Sequence, residues 1–105
     1  MNIEQLNKKI KSTPALLVYF SGTSCGVCKV LKPKITKAFN ENYPKIKQIE
    51  INIEDNLELS RQFNIFATPS ILIFFDGSEF VRKERNISVD GLIDQVKRPY
   101  SLFFE

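Results

Sequence analysis

Ile3, Leu6 and Ile10 recur at helical spacing, and the pattern predicts a helix over residues 3–11 that stops ahead of Pro14. The run from Ala15 to Phe20 is apolar throughout, as in a strand covered on both faces. From Cys25 the spacing turns helical again, with Leu31, Ile35, Ala38 and Phe39 on one side. Asn40, Asn42 and Pro44 supply a stop near Asn42. Pro33 falls inside this helix and is expected to bend it, because it lacks a backbone donor and crowds the preceding turn.

Ile46, Ile49, Ile51 and Ile53 mark a second strand, the last three alternating strictly. Asp55 is placed to cap a short helix containing Leu57, Leu59 and Phe63. Ile71 to Phe75 forms a third strand, and Asp76-Gly77 is a strong hairpin turn into a fourth, Glu79 to Arg85. Ser88 is placed to cap a last helix with the apolar stripe Val89, Leu92, Ile93 and Val96, which Pro99 is expected to end. Crossover helices imply parallel pairing early in the chain, and the hairpin implies an antiparallel pair late. The predicted class is α/β, with a mixed central sheet flanked by helices in a single domain over residues 1–105.

Composition narrows the function. Hydrophobic content of 43%, charged content of 26% and a net charge of +3 are ordinary for a globular chain of 105 residues. Lysines are scattered among acids without a basic block, so no nucleic-acid partner is expected. No stretch reaches the roughly 18 apolar residues of a membrane span. Met1 to Gln5 lacks the charged-then-apolar layout of a secretory signal, so a cytoplasmic location is expected; a form already relieved of its signal stays open. Histidine is missing, which removes the commonest general base and metal ligand.

Cys25 and Cys28, the only cysteines, sit where the first strand gives way to a helix. A helix N-terminus carries partial positive charge and unpaired N–H groups, which favour thiolate over thiol. At about 100° per residue, Cys28 falls at the edge of the buried side, and Cys25 on the flank of Lys29 and Lys32. Cys25 is therefore the expected attacking thiolate and Cys28 the shielded resolving thiol. Attack on a disulfide by Cys25, then on Cys25 by Cys28, would release a reduced substrate with no cofactor on this chain. Two other readings compete: a chance pair of buried cysteines, and a zinc site, which wants four Cys or His ligands where this chain has two.

Phe20 to Lys29, Ile51-Asn52-Ile53-Glu54, Ala67-Thr68-Pro69-Ser70 with the strand after it, and Asp76-Gly77 together resemble the thioredoxin family along nearly the whole chain. Cys-x-x-Cys alone is a weak sign, but followed by Thr-Pro about 40 residues later, ahead of an apolar strand, it is strong. The resemblance implies a thioredoxin-like three-layer sandwich and a cis Pro69 facing Cys25. It also implies substrate contacts from Ser24, Gly26, Val27, Thr68, Pro69 and Asn86.

The chain departs from the family pattern at several of these places. Ser24 replaces the usual tryptophan, Val27 the proline between the cysteines, and Asn86 a glycine opposite them. Tyr19 stands where the family has a buried aspartate for proton transfer, and Glu50 where that aspartate has a lysine partner. Tyr19 and Glu50 are thus the candidate proton-transfer groups, Tyr19 a poor base because it is neutral near pH 7. Val27 suggests a less reducing pair.

The resemblance implies a thiol–disulfide oxidoreductase, a monomer that acts on protein disulfides and draws on an external reductant such as a thioredoxin reductase. The alternative is a redox-sensing adaptor of the same fold, motivated by the missing tryptophan and buried aspartate together with the aromatic tail Tyr100 to Phe104. That tail either docks on a partner or, as such tails more often do, packs back onto its own sheet.

Overall fold

Asn2 starts the first helix with a reciprocal cap. Its side chain accepts from the Gln5 amide at 2.9 Å, and the Gln5 side chain accepts from the Asn2 amide at 2.8 Å. The computed structural model describes residues 1–104; Glu105, the end of the expected domain, lies outside them. Helix α1 (Ile3–Ser12) leads into strand β1 (Ala15–Ser21) and helix α2 (Gly26–Asn42). Strand β2 (Lys47–Asn52), helix α3 (Leu57–Gln62), the hairpin β3 (Ser70–Phe75) and β4 (Ser78–Glu84), and helix α4 (Val89–Phe104) follow.

The four strands form one sheet in the order β2-β1-β3-β4. β1 runs parallel to β2 and antiparallel to β3, and β3 pairs antiparallel with β4. Every residue of β1 is buried, because helices cover both faces of the sheet. Leu17 and Tyr19 pack with Cys28, Ile35 and Phe39 of α2 and with Leu92 and Val96 of α4. Leu16, Val18 and Phe20 face the other way, against Leu6 and Ile10 of α1 and Leu59 of α3. Each such side chain contributes about 1.5–3 kcal/mol on burial. The three-layer arrangement expected from the sequence is the one observed.

The hairpin is also as expected: Asp76 and Gly77 have φ of 51° and 80°, which a two-residue turn between Phe75 and Ser78 requires. Ser88 caps α4 by accepting from the Gly91 amide at 3.1 Å.

Three expectations need correction. Asp55 is not a cap: Asn56 holds that position without a side-chain bond, and the Asn52 carboxamide accepts from the Glu54 and Asp55 amides instead. Pro99 does not end α4, which continues to Phe104. The helix loses one backbone bond there, but its last turns are held by ring contacts of Tyr100 with Tyr43 at 4.7 Å and Phe103 with Phe75 at 5.7 Å. β4 stops at Glu84, one residue early, because Arg85 takes a φ of 59° that turns the chain off the sheet.

Candidate functional site

The site grows from the end of β1. Gly22 to Ser24 turn the chain, the Cys25 amide donates back to the Gly22 carbonyl at 3.2 Å, and Cys25 becomes the N-cap of α2. Its Sγ accepts from the Cys28 amide at 3.2 Å. A backbone donor aimed at this sulfur from a helix start favours the thiolate once the pair is reduced. The two Cα atoms lie 5.3 Å apart and the sulfurs are joined in a disulfide. Cys28 is 2% exposed and Cys25 is half-buried, the difference in exposure expected from helical phase.

Cys25 opens into a hollow where loops from all four strand ends meet. Glu54 comes from beyond β2, Gly22 from beyond β1, Thr68 and Pro69 from before β3, and Arg85 and Asn86 from beyond β4. Ser24, Gly26 and Val27 complete it, so all the residues expected to touch substrate line one hollow with Cys25. The Thr68-Pro69 peptide is cis, as the resemblance implied. The Arg85 amide donates to the Pro69 carbonyl at 2.7 Å and ties β4 to that loop. Glu54 accepts from the Thr23 amide at 2.8 Å, and its Oε1 lies 3.1 Å from where a Cβ on Gly22 would sit. Gly22 therefore allows the close approach that pins the turn before Cys25.

Cys28 lines a second hollow with Lys29, Lys32, Glu50 and Ser21. Lys29 and Lys32 were expected beside Cys25; they line this other hollow, and the cation in the Cys25 hollow is Arg85. The Glu50 carboxylate accepts from the Ser21 hydroxyl at 2.9 Å and pairs with Lys32 at 3.0 Å. Partial burial opposes its charge, but the bonds from Lys32 and Ser21 outweigh it and hold the carboxyl below its usual range. Tyr19 lies beneath, 1% exposed, donating its hydroxyl to the Cys28 carbonyl at 2.9 Å. Burial, and secondarily the Glu50 charge, push Tyr19 up to about 12, so its proton stays in place through the neutral range.

Sequence reasoning missed Arg85 and Glu54 as members of the site. Glu54 belongs to the Ile51-Asn52-Ile53-Glu54 segment, but only the fold brings it over Gly22; Arg85 read as the last residue of the fourth strand. Phe66, two residues before Thr68, is 75% exposed, and Val27 and Val30 are each 63% exposed. Among the described residues, no group of three or more His, Cys, Asp or Glu side chains is placed to hold a metal ion. No described helix is long and apolar enough to cross a membrane.

A Cys-x-x-Cys disulfide at a helix start, beside a cis-proline loop on a mixed sheet covered by helices, is the arrangement of a thiol–disulfide oxidoreductase. A family model described as Thioredoxin matches residues 1–98. The chain is 33% identical over 94 residues to "Thioredoxin-like protein YdfQ" of Bacillus subtilis, covering 90% of this chain and 83% of that protein. It is 28% identical over 78 residues to "Thioredoxin-2" of Pyricularia oryzae, covering 74% of this chain and 45% of that one. The oxidised form of mitochondrial thioredoxin 3 from Saccharomyces cerevisiae superposes with a TM-score of 0.82 at 22% identity, over 92% of this chain and 90% of its own. The chain belongs to the thioredoxin family.

Proposed function

We propose that the chain works as one thioredoxin-like domain, a cytoplasmic monomer that reduces protein disulfides and is recharged by an external dithiol donor of the thioredoxin-reductase kind. The observation that carries the reading is the Cys25–Cys28 bridge, with the Cys28 amide on Cys25 Sγ and the cis Thr68-Pro69 loop in the same hollow.

In the reduced protein the Cys25 thiolate attacks one sulfur of a substrate disulfide. The substrate S–S bond breaks, a Cys25–substrate bond forms, and the other substrate sulfur leaves as thiolate. Cys28 then loses its proton and attacks Cys25, freeing the second substrate thiolate and closing the bridge seen here. Two electrons have passed to the substrate, and the donor returns them. Ser24, Gly26, Val27, Thr68, Pro69 and Asn86 are the proposed contacts for the substrate chain.

Glu50 is the proposed proton acceptor for Cys28. It is ionised at neutral pH and lines the same hollow, though its depressed pKa suits it to pass the proton on rather than keep it. Tyr19 holds its own proton and fixes the Cys28 carbonyl; we assign it a positioning role.

The adaptor alternative drew on the missing tryptophan and aspartate as well as on the aromatic tail; for the tail, Tyr100, Phe103 and Phe104 make ring contacts within this chain, which supports packing over docking. The test is insulin reduction with dithiothreitol as donor, alongside equilibration of the cysteine couple with glutathione. Turnover above the uncatalysed rate is expected. A couple that never passes electrons to insulin overturns the reading.

A further inference from the structure

Resting on the oxidoreductase reading, the structure points to a charge preference in the substrate. We propose that Arg85 is a specificity-determining residue that recognises an acidic side chain beside the attacked disulfide. Three observations converge on it. Arg85 lines the Cys25 hollow and is exposed there. Its backbone is held at a φ of 59°, unusual for a residue with a long side chain, and is bonded through its amide to Pro69. Among the described residues its guanidinium makes no ion pair, whereas Arg61 and Arg82 pair with Glu58 and Glu79, and Lys32 with Glu50.

The hollow is also polarised. Strand order puts the loop carrying Glu54 at one end of the row of strand ends and Arg85 at the other, with Gly22, Cys25 and Pro69 between. The Glu54 carboxylate is already engaged by the Thr23 amide and lies against Gly22. Arg85 is the charge left open to a docking chain. A substrate laid along the Thr68-Pro69 loop meets it on the β4 side of the nucleophile, within reach of a neighbouring Asp or Glu side chain. A guanidinium suits this task, since its fork of donors matches a carboxylate. Exposed pairs of this kind contribute a few-fold in affinity, more on charge reversal, and weaken with salt.

The experiment uses two disulfide-bridged peptides that differ only in carrying Glu or Lys beside the attacked cysteine. Their kcat/KM values are compared for the wild type, Arg85→Lys, Arg85→Gln and Arg85→Glu at low and high salt. Taking the ratio of the two peptides within each variant cancels any change in the Cys25 thiolate itself. The wild type is expected to prefer the Glu peptide by about 3- to 10-fold, mainly through KM. Arg85→Lys keeps part of that preference, Arg85→Gln removes it, Arg85→Glu inverts it, and high salt collapses it. A ratio near one in the wild type, or one that Arg85→Glu leaves unchanged, overturns the proposal while sparing the oxidoreductase reading. Failure of the wild type to reduce either peptide overturns both.

Discussion

The two sulfurs of one bridge sit in two different environments. Around Cys25 the walls come from loops at the ends of four strands and from the start of α2, the residues are mostly exposed, and the open charge is Arg85. Around Cys28 the walls come from α2 and the sheet, the sulfur is nearly sealed, and the charges are already matched as Lys32 and Glu50 over a buried Tyr19. On the function proposed above, the first meets the substrate and the second manages the proton. One bridge thus separates recognition from resolution by a single helical turn.

The comparison breaks most sharply at the sulfurs themselves. Cys25→Ser is expected to abolish insulin turnover, since no other thiol lines the hollow. Cys28→Ser is expected to preserve the first attack and accumulate a Cys25–substrate disulfide, visible by mass spectrometry under non-reducing conditions. Equal trapping by both variants would erase the assignment of roles.

Tyr19 tests the Cys28 side through stability. Its folded pKa of about 12 lies above the ordinary value of 10, so its contribution is fully present below pH 10 and is lost as pH rises towards 12. The loss is about 2–3 kcal/mol by linkage. Tyr19→Phe is expected to flatten that part of the pH–stability curve, leaving a remainder from Tyr43, whose pKa is also raised. At pH 7 the variant loses about 1 kcal/mol with the Cys28 carbonyl bond. Denaturant titration across pH 7–12 reads both effects.

How far the sequence foretold these environments differs between them. The fold was legible because β1 is apolar throughout, the helices keep their 3.6-residue period and Asp76-Gly77 can do little but turn. The ends of elements were less so. Pro99 looked like a stop because local rules ignore the aromatic contacts of Tyr100 and Phe103, and Asn52, not Asp55, organises the approach to α3. At the site, the positions on motifs were legible. What escaped was whatever depends on neighbouring strand ends: Arg85 joins the site only through the order β1-β3-β4, and Glu54 only because it folds back over Gly22. Helical phase placed Lys32 beside Cys25, but the Glu50 carboxylate, brought alongside Tyr19 by the β1-β2 register, draws it to the other hollow.

Glu50→Gln sharpens the proton side. The amide keeps the size of the carboxylate and can still accept from Ser21, but it takes no proton. Resolution of a preformed mixed disulfide is expected to slow by about 10-fold near pH 7, with the gap closing at alkaline pH where hydroxide serves instead. The alkylation rate of Cys25 by iodoacetamide should hardly move, because Glu50 belongs to the other hollow. A variant that slows alkylation as much as resolution would show that the two environments are electrically one.

The smallest effect belongs to Gly26, the first residue of α2, and it bears on the recognition side alone. A Cβ built there meets nothing within 4 Å, and its backbone is not in the left-handed region, so the fold does not demand glycine. Gly26→Ala is expected to raise stability by a few tenths to about 1 kcal/mol through helix propensity. If the hollow receives a polypeptide closely, the same methyl group crowds the docked chain. The kcat/KM for insulin should then fall a few-fold, while reduction of a small aliphatic disulfide, which does not fill the hollow, stays unchanged. Opposite movements of stability and protein-substrate turnover would locate the need for glycine in the partner. Unchanged turnover on both substrates would mean that the docked chain runs clear of α2 and leans only on the Pro69 and Arg85 side.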